Sequence, residues 1–129
     1  MHYLLTLLLF IFFTLTANAQ DYQSKAELEK EILGTWSRED SPGALLKFYK
    51  NGKLERYYKG ELSSTSLYEI TKTCDGETSK KGDYFLREMR GDDFVACAYI
   101  EHINANGNGF FTIMSTQRGQ IIIYCKEKA

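Results

Sequence analysis

Charge is missing from one end of this sequence. From Met1 to Ala19 there is no Lys, Arg, Asp or Glu, and Leu4 to Leu15 is an almost unbroken apolar run. The run ends at Thr16-Ala17-Asn18-Ala19, which places small residues at the −3 and −1 positions that a signal peptidase needs. Residues 1–19 are therefore read as a secretory signal peptide, cleaved before Gln20. A retained membrane anchor is the rival reading, because the leader starts with only His2 and the free amine. The run falls short of the ~20 apolar residues that cross a bilayer, so no stable membrane insertion is expected after cleavage. No Cys follows the cleavage point, which excludes a lipoprotein by the usual route.

Other scarcities narrow the chemistry. Proline occurs once, at Pro42, and His102 is the only histidine beyond the leader. One histidine rules out a histidine-rich metal site and argues against a Cys–His or Ser–His nucleophile pair. Excess charge of either sign is absent: the net charge is −1. Electrostatic capture of nucleic acid or of an anionic membrane is therefore not expected. Lys80-Lys81 is the only adjacent basic pair and falls in an expected loop. Internal repeats, linkers and low-complexity tracts are lacking too, so residues 20–129 read as one domain.

What is there is a change of period. Gln23 to Leu33 reads as a short helix, with Ser24 a candidate N-cap, Glu27 completing a capping-box pattern, and Leu28 and Ile32 on one face. Gly34 stops it. Eight strand-like segments follow, at 35–38, 45–50, 53–59, 65–72, 83–90, 94–103, 109–116 and 120–126. Turn signals separate them: Ser41-Pro42-Gly43, Asn51-Gly52, Gly60 to Ser64, Gly91-Asp92-Asp93, Asn106-Gly107 and Arg118-Gly119. The longest connection is the polar stretch from Cys74 to Gly82. The segments are rich in Tyr, Phe, Ile and Thr, which suit a half-buried pleated surface. Aromatic content is 14%, and each ring buries a large area in a small core. Short connections pair each strand with its neighbour, and closure removes the exposed edges. The expected fold is all-β: an eight-stranded antiparallel up-and-down meander closing into a small barrel. A twisted open sheet or two-sheet sandwich is the alternative.

Leu33-Gly34-Thr35-Trp36 opens the first strand directly after a short helix, and this Gly-x-Trp resembles the lipocalin signature. The wider pattern is similar to the bacterial lipocalin-like domain proteins common in secreted Bacteroidota sequences. It runs through Leu46 to Lys53, Tyr68 to Cys74, Tyr84-Phe85-Leu86, Cys97 to Ile100 and Ile121 to Tyr124, with an Ala19-Gln20 junction. The resemblance implies a small lipocalin-like barrel of the kind that binds apolar molecules. In lipocalins an Arg near the end of the last strand packs over the signature Trp; here Lys126 is the nearest basic residue. Three cysteines in an oxidising compartment leave one bridge and one free thiol as the simplest outcome. The resemblance favours Cys74 with Cys97, a link worth about 3 kcal/mol by chain entropy. Simple strand register argues against that pair, unless the 74–82 connection folds back across the sheet. Cys125 alternates with Ile121 and Ile123 and reads as a buried apolar filler.

Trp36, Arg56, Tyr58 and Arg87 are the candidate ligand contacts. Trp36 could line a cavity, although such a residue more often plugs a barrel end. Arg56 is in phase with Leu54 and Tyr58, and Arg87 with Phe85 and Met89. Either could fix a polar head group, or simply snorkel outward. Glu69 also lies within a strand. Asp92-Asp93 and the asparagines at 104, 106 and 108 read as turn chemistry rather than calcium ligands. No cofactor, metal or enzymatic activity is called for. The functional expectation is an exported, monomeric binding protein for a small hydrophobic or amphipathic ligand. The alternative is a protein-interaction domain with a filled core and an exposed aromatic patch from Tyr22, Tyr57 or Tyr58.

Overall fold

A computed structural model describes residues 22–79 and 82–128. The signal-peptide reading and the Lys80-Lys81 pair lie outside the described residues.

The helix α1 (Lys25–Glu31) starts at Ser24, whose hydroxyl accepts the Glu27 amide at 3.2 Å. That cap satisfies one of the amides that a helix start leaves unpaired. Leu28 and, just past the helix, Ile32 are both buried. The chain then extends into β1 (Gly34–Arg38), β2 (Ser41–Phe48), β3 (Lys53–Tyr58) and β4 (Glu61–Thr71). A two-stranded excursion, β5 (Thr73–Cys74) and β6 (Glu77–Thr78), precedes β7 (Tyr84–Arg90) and β8 (Asp93–Ile103). A 3-10 turn (Ala105–Gly107) leads to β9 (Phe110–Ser115) and β10 (Ile121–Lys126). Eight strands close in the order β1-β10-β9-β8-β7-β4-β3-β2, all antiparallel. The expected barrel is therefore the observed one.

Two turns fall elsewhere than expected. Residues 41–43 belong to β2 despite Pro42, and the reversal is made by Glu39-Asp40. Residues 61–64 belong to β4, because Lys59-Gly60, both at positive φ, complete the preceding turn. Within the 74–82 connection, Asp75-Gly76 makes a tight turn with both residues at positive φ. This lets β5–β6 fold back over the outside of β7. Cys74 and Cys97 then come to disulfide distance, Cα to Cα 6.1 Å, and are bridged. The hairpin covers Phe85, which is fully buried although it points out of the barrel. Tyr99 packs on Phe85 with ring centroids 4.6 Å apart, and its hydroxyl donates to Glu77 Oε2 at 3.1 Å.

The main core fills the barrel from its helix end. Trp36, Phe48, Phe111 and Tyr124 are buried and form a chain of ring contacts with centroids 5.4–5.9 Å apart. The Trp36 indole donates to the Ile32 carbonyl at 2.8 Å, satisfying an acceptor that the helix end leaves free. Register pairs Trp36 with Lys126, whose Nζ lies 5.6 Å from the indole ring centroid. Polar ties fix the helix in place. The Gln23 amide exchanges two hydrogen bonds with the Ile103 backbone, and Asn104 donates to Glu31.

Candidate ligand-binding site

The predicted contact residues do not converge. Trp36 has no exposed surface and is a core residue at the helix end. Arg56 points into the barrel toward the opposite, open end, and its Nη1 pairs with Glu88 Oε2. Tyr58 sits at the mouth, exposed, with Lys59 Nζ 5.4 Å above its ring. Arg87 lies on the outer wall, where Nη1 donates to Glu69 Oε1 at 3.1 Å. The apolar residues in phase with Arg87 do not line the lumen. Phe85 is sheltered by the β5–β6 hairpin, and Met89 lies beside Leu67 on the outside. Cys125 also proves outward. It is half-exposed on the face that carries Ile121 and Ile123, not buried as its alternation suggested, because that whole phase of β10 faces away from the barrel. His102 shares this outer wall and a 3.3 Å contact with Thr112 Oγ1.

The lumen is therefore occupied by the protein itself. The aromatic chain fills its closed half. Above it, Glu88 and Ser66 are buried, and the Ser66 hydroxyl donates to Glu88 Oε2 at 2.6 Å. Arg56 neutralises the carboxylate from the mouth side, with a third of its side chain open to solvent. The neighbouring Tyr124 hydroxyl has its pKa pushed up by burial, opposed by Arg56 and Arg38 and assisted by Glu88 and Asp40. Glu88 and Ser66 were not singled out in the sequence. Leu86 and Glu88 share one face of the strand and Phe85 and Arg87 the other, so each face carries one apolar and one charged residue and alternation alone does not choose between them.

Open space lies outside the lumen, beside α1. A groove of about 560 Å³ runs between the helix, the β2–β3 turn and the end of β4. Its floor is Leu33, Tyr68 and Ile70, and its rim carries Lys25, Lys30 and Lys50 with Glu29 and Glu69. The volume falls in the range of about 300–1,000 Å³ usual for small-molecule sites. Tyr68 is half-buried and anchored, its hydroxyl donating to the Tyr49 carbonyl at 2.8 Å. Its pKa is raised, first by burial and then by the negative charge of Glu29. Phe48 meets the Tyr68 ring edge-on at 5.0 Å, so the floor of the groove is continuous with the core. Of the groove residues only Glu69 stood out in the sequence, as a strand carboxylate able to meet a polar head group; none of the others was predicted as a contact. They come from three separate stretches of chain, and only closure of the barrel onto α1 brings them together.

Set against known proteins, the chain matches no family model, no curated protein and no solved structure. The functional reading rests on this geometry and on the sequence.

Proposed function

We propose that this chain is an exported, non-catalytic binding protein for a small amphipathic ligand, held in the groove beside α1 rather than in the lumen. The observation that carries the proposal is the contrast between the two spaces. The lumen is packed with rings and closed by the Arg56–Glu88 pair. The groove combines an apolar floor with a charged rim, the mixture that orients an amphipathic molecule. The leader-like residues 1–19 support export, and the Cys74–Cys97 bridge is compatible with an oxidising compartment. A single histidine beyond the leader supports a binding role over catalysis.

Native mass spectrometry of the protein purified from its own host's envelope and medium tests this. The expected species starts at Gln20, lacks the two hydrogens of one disulfide, and carries an excess mass that leaves on denaturation. A bare protein would overturn the small-ligand reading. It would favour a protein-interaction domain, for which a separate observation speaks: Phe110, Ile121 and Ile123 are exposed together on the β9–β10 wall.

A further inference from the structure

From the charges around the groove, we infer that its ligand carries an anionic head group on an alkyl chain. The inference rests on the groove reading above and adds the ligand's class and orientation. Three lysines stand on the rim against Glu29 and Glu69. Glu69 is already held by Arg87 at 3.1 Å, so its charge is balanced from outside the groove. Among the described residues, none of the three lysines is in an ion pair. The rim thus presents an uncompensated positive charge beside an apolar floor, complementary to a carboxylate or phosphate monoester.

The route of the chain follows from a second cleft. A space of about 310 Å³ on the outer wall shares Gly52, Tyr68 and Glu69 with the groove. There Leu67, 55% exposed, lies opposite Met89 across the β4–β7 pair. Met89 is half-buried, and the two side chains form an apolar strip on the outer wall. Gly52 marks the saddle between the two spaces. It lines both and carries no side chain where they meet. A head group at Lys25, Lys30 and Lys50 puts the first methylenes on the half-buried Leu33 and Tyr68. The tail then crosses Gly52 toward Leu67 and Met89, where burying each further CH2 is favourable.

The test is a titration of the intact mature protein with dodecanoate, dodecyl phosphate and dodecyl maltoside, each below its micelle concentration. Both anions are expected to bind roughly three- to tenfold more tightly than the maltoside, since three exposed ion pairs each add only a modest gain. The advantage should shrink as salt is raised. The variant Lys25→Gln/Lys30→Gln/Lys50→Gln should erase it. Lys47→Gln/Lys53→Gln, around the Tyr49 ring, should leave it intact. The better of the two anions tells a fatty acid from a phosphate-headed lipid. Equal binding of all three amphiphiles, unchanged in the triple variant, would overturn the anionic head group while sparing the groove. Binding of none would overturn both.

Discussion

Trp36 performs two tasks with one side chain, filling the barrel end and tying the helix to it by donating its indole N–H to the Ile32 carbonyl. Trp36→Ala should destabilise by about 3–5 kcal/mol, since it removes a fully buried ring from the centre of the ring chain. Urea unfolding of the variant and parent checks this. The Arg56–Glu88 pair makes a directional prediction. Arg56 can turn to water when its partner is lost, but Glu88, 4% exposed, cannot. Arg56→Ala should therefore cost more, about 3 kcal/mol against about 1 for Glu88→Gln. Equal costs would mean that the carboxylate has access to solvent. Tyr68 and Tyr124 add a pH dependence. Burial, the largest cause for both, raises their pKa above the ordinary 10.0. The unfolded chain thus releases these protons first. Stability should be full below pH 10 and fall as pH climbs through and beyond that value. The fall should be shallower in Tyr124→Phe, read by urea unfolding at stepped alkaline pH. At this scale the sequence was least legible. Arg56 and Arg87 each sit among apolar neighbours, and only the outer hairpin explains why Phe85, in phase with Arg87, is buried on the outside.

The elements were far more legible than their side chains. Period-two patterning and Asn-Gly or Gly-containing turns marked all eight barrel strands, because a strand half-buried in a closed sheet must alternate. Ser24 and Glu27 marked the start of the helix for an equally local reason. Errors arose where local signals compete. Pro42 reads as a turn, yet the tighter Glu39-Asp40 reversal leaves it in β2, near the mouth. The β5–β6 hairpin was missed although Asp75-Gly76 signals it, because its strands are two residues each and carry no periodicity. That hairpin resolves the register objection to Cys74–Cys97. Replacing both cysteines by serine should cost about 3 kcal/mol. Amide hydrogen exchange should rise first in residues 73–78, with the barrel strands holding longer. Uniform loosening of the barrel would show instead that the bridge supports the whole sheet.

The whole molecule is a barrel whose lumen is filled by its own side chains, with the proposed site on its outer surface. Closure onto α1 creates the groove from Leu33, the β2–β3 turn and β4, an arrangement visible only in three dimensions. The chain's single tryptophan and Gly52 report on the two spaces separately. The most direct test is amide and indole shift mapping of the mature protein, titrated with dodecanoate below its micelle concentration. The account predicts that the Leu33, Gly52 and Ile70 amides move while the Trp36 indole N–H stays in place. Movement of the indole with a silent groove would contradict it and return the ligand to the lumen.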